Sequence, residues 1–318
     1  MLHFNKSTFL SCKNIRTTVL ALIGCFVVYA VWNLKGSMSD QTLDYFLGQS
    51  QIKKRDAAEV RWRHAVNSRS SLTEAVAGPT HMLEADIVMR GDEPIMAHPP
   101  DTDSDITLRE WLEGVKVHSK GIKLDFKSQE VVSPSVALLE EVLADSKRPV
   151  WVNADILPGP GGQARPLEPE AFLSAVTNLP TDTVLSLGWT TGWTADAGSP
   201  GYSWDNVQQM EEICRTLKHP VTFPVRAAFL AQSLSQLTWL LQQSHRMQED
   251  ACPPVCLSHP AEWGIGSSGA TVKYTLTVWT GQSDRVLLQD LLPYRKMFDI
   301  SRIYYDLPDS QRTELSMI

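Results

Sequence analysis

The sequence predicts an α/β fold built as a (β/α)8 barrel, and three features carry that reading. Eight short segments rich in β-branched and aromatic residues recur between residues 60 and 307, most of them separated by stretches with helical periodicity. Alternation of this kind builds a parallel sheet, and eight repeats are the number that closes one into a barrel. Polar or aromatic residues also return with the same parity near the C-terminal end of strand after strand: His64, Glu84 with Asp86, Asp125 with Lys127, Asn153 with Asp155, Arg226 and Trp279. Barrels of this class carry their chemistry at that end.

The first strand is expected over residues 60–66. A short helix follows, with Ser71 and Glu74 as a capping box and Gly78 as its stop. Residues 81–89 read as a strand that turns at 90–93 into an extended arm over 94–98. A helix at 107–115 leads to a strand at 121–127, where Ile122, Leu124 and Phe126 face one way and Lys123, Asp125 and Lys127 the other. The pattern continues with a helix at 134–146, a strand at 149–157, a glycine- and proline-rich loop at 158–162, a helix at 168–179 and a strand at 183–189. Beyond these come a helix at 204–217, a strand at 221–229 with Arg226 on the face of Thr222, and a helix at 232–243. A strand at 273–280 has Trp279 facing as Thr277 does, and the last, 302–307, has Tyr304 and Asp306 on one face. Residues 247–272 read as an inserted loop whose Cys252 and Cys256 could close a small disulfide; that spacing alone is weak as a zinc site.

At 318 residues the chain exceeds the roughly 250 residues of such a barrel. The surplus lies at the N-terminus. Lys6, Lys13 and Arg16 precede an uncharged apolar run at residues 17–34, near the short end of what spans a bilayer. Trp32 stands where an interfacial aromatic belongs. We expect residues 1–37 to be a cytosolic tail and signal-anchor, 38–57 a linker, and 58–318 a barrel on the lumenal or extracellular side of a single-pass membrane protein. Cleavage or absence of the segment would leave it secreted or soluble. A net charge of −7 and the lack of a basic patch argue against nucleic acid as a partner.

Glu84 and Asp86 share one face of their strand, with Met82, opposite the apolar Leu83, Ala85 and Ile87. Adjacent acids on such a strand ask for a cation between them. With Asp125 they form an oxygen-only set suited to Mg2+, or to Ca2+, rather than zinc. His64 and His98, at two successive strand exits, suit general acid–base work on a phosphoester, and Lys127 and Arg226 would take phosphate charge. Candidate substrate contacts are Asn67, Lys123, Asn153, Asp155 and Arg226, with Trp189, Trp193 and Trp279 lining an apolar mouth for a lipid or choline-like head group.

The series His64, Glu84, Asp86, His98 and the Asp125-x-Lys127 pair is similar to the glycerophosphodiester phosphodiesterases. It is closer to the sphingomyelinase D/phospholipase D toxins, whose first histidine sits in an H-x-V-N segment like HAVN at 64–67. Residues from about 40 to 310 resemble the menorin family, through HMLEAD (81–86), PIMAHPP (94–100), GIKLDFK (121–127), NADILPG (153–159), SLGWTTGW (186–193) and FPVR (223–226). The resemblance implies a barrel of the phospholipase C-like phosphodiesterase type. It also implies Mg2+ on Glu84, Asp86 and Asp125, with His64 and His98 as nucleophile or base and as acid. Ala65 departs from the arginine that follows the first histidine in ordinary glycerophosphodiester phosphodiesterases, so their substrate does not carry over.

Two functional readings follow. One is a Mg2+-dependent phosphodiesterase acting on a phospholipid or glycerophosphodiester. The other is a non-catalytic, membrane-tethered or extracellular module that uses the barrel to bind a protein partner; the resemblance favours it through the family's association with neuronal patterning and photoreceptor maintenance.

Overall fold

Met82–Arg90 (β2) is the strand on which the sheet is laid out. To one side of it lies the short β1 (Trp62–Arg63), and to the other, in order, β4 (Gly121–Phe126), β5 (Val150–Pro158), β6 (Val184–Thr190), β7 (Val221–Arg226), β8 (Tyr274–Trp279) and β9 (Ile303–Asp306), all paired in parallel. One further strand, β3 (Glu93–Met96), folds back antiparallel on β2 through a turn in which Gly91 takes φ +60°. This computed structural model describes residues 40–194, 201–250 (backbone only for 245–250), 274–281, 284, 287–308 and 311–312. Helices connect successive parallel strands, so the molecule is an α/β barrel of eight parallel strands, nearly closed: no backbone ladder joins β1 to β9 among the described residues.

The pattern of outward apolar and inward polar residues explains the arrangement. Leu83, Ala85 and Ile87 of β2, with Ile122, Leu124 and Phe126 of β4, are buried beneath the surrounding helices. Inside, the lower end of the barrel is apolar, packed with Trp62, Met82, Trp151 and Tyr304. Above them the lining turns polar, with Glu84, Lys123, Asn153, Ser186, Thr222 and Thr277 all buried. The helix Gln41–Gly48, in the stretch expected as a linker, closes that lower end by burying Leu43 and Phe46 against the same tryptophans. Its N-cap Asp40 accepts a hydrogen bond from Tyr304 Oη at 2.7 Å, and Thr42 Oγ1 accepts one from Trp151 Nε1 at 3.0 Å. Burying Phe46 alone is worth about 2–3 kcal/mol. The barrel is thereby plugged at one end and open at the other.

Several local expectations change. The first strand, expected over 60–66, is Trp62–Arg63 alone, and the helix expected at 232–243 runs over Leu234–Asp250, so residues 247–250 of the expected loop are helical. The first connecting helix, Arg69–Ala77, starts earlier than its expected cap: Ser68 and Ser71 form the capping box, at 3.0 and 3.1 Å, rather than Ser71 and Glu74. Strand β7 ends at Arg226, where Ala227–Phe229 turn as a 3-10 helix instead of extending the strand to 229. A helix at Leu288–Met297, unmarked in the sequence because Pro293 reads as a breaker, makes the last crossover. Among the described residues no helix is long and apolar enough to cross a membrane. The N-terminal span expected at 17–34, the loop beyond residue 250 and Cys252 and Cys256 lie outside the described residues.

Candidate active site

The open end of the barrel holds a cavity of about 360 Å³ lined by residues from β2, β4, β5, β6, β7 and β8, by His64 just after β1, and by the loops that leave these strands. A larger hollow, about 890 Å³, lies at the opposite end beside the helix Gln41–Gly48, but it gathers no histidine and no cluster of acids. Chemistry therefore points to the smaller one. His64, Asp86, His98, Lys123, Asp125, Lys127, Asn153, Asp155 and Trp279 all line it.

Backbone register brings the acids together. Asp86 lies opposite Asp125, and Glu84 opposite Lys123, across the β2–β4 ladder. Oxygens of Glu84, Asp86 and Asp125 lie within 4.8 Å of one another. Each carboxylate is held by a second residue. Asn67 donates Nδ2 to Asp86 Oδ2 at 2.8 Å and accepts the Asp86 N–H at 2.9 Å. Asn153 donates to Asp125 Oδ1 at 2.8 Å, while its own Oδ1 accepts Ser186 Oγ at 2.5 Å. Glu84 Oε2 accepts the Ala65 N–H at 2.8 Å, an N–H aimed there by a left-handed turn with φ +54° at Ala65. Glu84 Oε1, by contrast, is buried with no hydrogen-bond partner among the described residues. A buried carboxylate oxygen left bare is costly, and three hard oxygen donors around it fit a divalent cation.

Lys127 sits against the same group, its Nζ 2.8 Å from Asp86 Oδ1 and 2.6 Å from Asp125 Oδ2. Burial works against its charge, but Asp125, Asp86 and Glu84 outweigh that and hold it well above the ordinary lysine range. Asp125 is held below the usual carboxylate range: burial opposes this, and the charges of Lys127 and Lys123 overcome it. Glu84 moves the other way, raised by burial and by its neighbours Asp86 and Asp125. Burial, then the charge of Asp125, pushes Asp155 up to about 7. Gly188 makes room for that side chain: a Cβ there would lie 2.5 Å from Asp155 Oδ1 and 2.9 Å from Pro224 Cγ.

His64 Nδ1 lies 2.9 Å from Asp306 Oδ2 and 3.4 Å from Glu84 Oε2. The Glu84 charge, then Asp306, raises its pKa to about 10 against the opposing effect of burial. Asp306 is held low in turn, His64 outweighing burial. His98 donates Nδ1–H to the Pro99 carbonyl at 2.6 Å, which leaves Nε2 as its free nitrogen. Asp306 was not singled out from the sequence. Its only signal there is its parity with Tyr304 at the end of the last strand.

Other expected contacts lie elsewhere. Trp189 faces away from the cavity, 2% exposed and packed against Tyr202 and Phe223, because Ser186 and Gly188 take the inner face of β6. Trp193 is half-buried against the outer core. Arg226 does not line the cavity: it is held by Asp284 at 2.6 and 2.7 Å, with its guanidinium 5.3 Å from the centre of the Trp279 ring. Asn67 acts behind Asp86 rather than at the surface of the pocket.

Comparison with known proteins agrees with the motifs. The Menorin N-terminal domain matches residues 56–248 and 266–312. The human protein FAM151B is 46% identical over 284 residues, covering 88% of this chain and 93% of its own length. Both matches span most of the barrel, and the chain belongs to the menorin family.

Proposed function

We propose that the chain is a Mg2+-dependent phosphodiesterase, with a barrel of the phospholipase C-like type acting on a phospholipid or glycerophosphodiester. The observation that carries this reading is Glu84 Oε1: a bare, buried carboxylate oxygen among three acids, at a mouth that also holds two histidines. Glu84, Asp86 and Asp125 would hold Mg2+, which neutralises their charge and polarises a phosphoryl oxygen. The residues do the rest. Asp306 binds Nδ1 of His64 and so fixes the tautomer that leaves Nε2 as the basic atom. Glu84 is the largest cause of the raised His64 pKa; once its charge is balanced, His64 falls toward its ordinary range and can take a proton from water or from a substrate hydroxyl. His98, with Nδ1 tied to Pro99, presents Nε2 to protonate the leaving oxygen. Trp279 offers an apolar edge to a head group, and residues 1–37 tether the barrel to the membrane with its mouth lumenal or extracellular.

The test is turnover of lysophosphatidylcholine and glycerophosphocholine by the full chain in detergent. Activity that needs Mg2+, is lost in EDTA and falls at least about 10³-fold in His64→Ala supports the reading. Activity unchanged in His64→Ala rejects it.

A second reading rests on Lys127. Its ammonium already bridges Asp86 and Asp125, so part of the acid charge is balanced from within the chain. On this reading the mouth is a non-catalytic surface that binds a protein partner. Rescue of a cellular phenotype by a His64→Ala, His98→Ala double variant would favour it.

A further inference from the structure

We propose that Lys123 is the anchor for a substrate phosphoryl oxygen at the floor of the cavity, a role that rests on the phosphodiester reading above. The side chain is 3% exposed, rises from the inner face of β4 one step below Asp125, and lines the cavity. It makes no hydrogen bond or ion pair with any described residue. In register with Glu84 on one neighbouring strand and Trp151 on the other, it reaches the same cavity that Asp86, Asp125 and Asp155 line.

The other cations in and just outside the cavity are spoken for. Lys127 is clamped by Asp86 and Asp125, and Arg226 by Asp284. Arg165, at the rim, is 86% exposed and pairs with Glu168. Among the described residues Lys123 is thus the cavity-lining lysine whose donors are left for a ligand. Across the β2–β4 ladder Glu84, in register with Lys123, carries the matching acceptor: its Oε1 has no hydrogen-bond partner among the described residues. A floor with one free ammonium and one free carboxylate oxygen suits a phosphate bound together with a cation: the cation goes to the oxygen, a phosphoryl oxygen to the ammonium.

The experiment is calorimetric titration of inorganic phosphate into the full chain with saturating Mg2+, for wild type, Lys123→Met and Lys123→Gln. The expected result is phosphate affinity at least tenfold weaker in both variants, with Mg2+ affinity kept or tightened and melting temperature unchanged or raised. A purely structural counter-charge would instead leave phosphate affinity within twofold while the variants melt lower; that result overturns the role of Lys123 and leaves the phosphodiester reading standing. Phosphate that fails to bind the wild type with Mg2+ present removes both. Should neither variant fold, the wild type answers alone: in lysine-selective 15Nζ spectra, a buried ammonium resonance that moves on adding phosphate supports the anchor, and one that does not move overturns it.

Discussion

His64 Nδ1 lies 2.9 Å from Asp306 Oδ2, joining the first strand of the barrel to the last, 242 residues away, across the seam where no backbone ladder forms. The ends of the barrel are thus linked at the point where the candidate base sits, so the contact that orients His64 also spans the seam, above the Trp62–Tyr304 ring contact. Asp306→Asn keeps the shape but removes the charge. We expect turnover to fall at least about 10²-fold with KM little changed, the pattern of a lost orienting partner. The His64 pKa, read by NMR titration, should fall at the same time, and an unshifted His64 would break the link.

His81 immediately precedes the central strand and is 2% exposed. Its Nδ1 accepts the Arg61 N–H at 3.1 Å, which a doubly protonated ring cannot do. Burial, then the charges of Arg61 and Lys120, brings its pKa down to about 4. Because the folded value lies below the unfolded 6.5, the unfolded chain takes up the proton first as pH falls. The contribution is complete above about pH 6.5 and is lost progressively toward pH 4, on the order of 3 kcal/mol. Urea unfolding of wild type and His81→Gln at pH 7 and pH 4.5 checks this: the gap between the two proteins should narrow at the lower pH.

Asp56 and Arg295 form a two-bonded pair at 2.7 and 3.0 Å, with Asp56 buried, tying the entry to β1 to the helix Leu288–Met297. Removing one partner strands the other. Asp56→Asn should cost about 3 kcal/mol in chemical denaturation, with binding of Mg2+ unaffected.

Gly188→Ala probes the wall behind Asp155. The added methyl meets Asp155 Oδ1 and Pro224 Cγ, both closer than a real Cβ tolerates. Overpacking should lower stability by about 1–3 kcal/mol. Turnover should fall by more than that loss explains, since Asp155 is pushed from the cavity wall; equal activity per folded molecule would show that Asp155 has no part in the site.

Much of this architecture is legible in strand parity, because a residue's face follows from its neighbours two positions away. Parity alone puts Glu84, Asp86, Lys123, Asp125, Asn153 and Asp155 on inner faces. It also argues against Trp189, whose neighbours Ser186 and Gly188 hold the inner positions, although an aromatic beside a glycine-rich segment suggests a mouth. What parity cannot give is pairing between distant strands. Arg226 has the inner parity of Thr222, yet Asp284, from the stretch after β8, takes its guanidinium. Asp306 carries no motif, only a place at the end of the last strand, and its meaning appears when the barrel curls back to His64. The helix around Pro293 hides for a local reason: proline removes one backbone donor, and the packing of Leu291 and Tyr294 outweighs that loss.

Calorimetric titration of Mg2+ into the full chain, beside Glu84→Gln, tests the central claim most directly. The account predicts one ion bound per chain by the wild type and affinity weakened at least about tenfold by Glu84→Gln, which replaces the bare oxygen's charge with a neutral amide. No binding to the wild type, or equal binding by the two proteins, would contradict it.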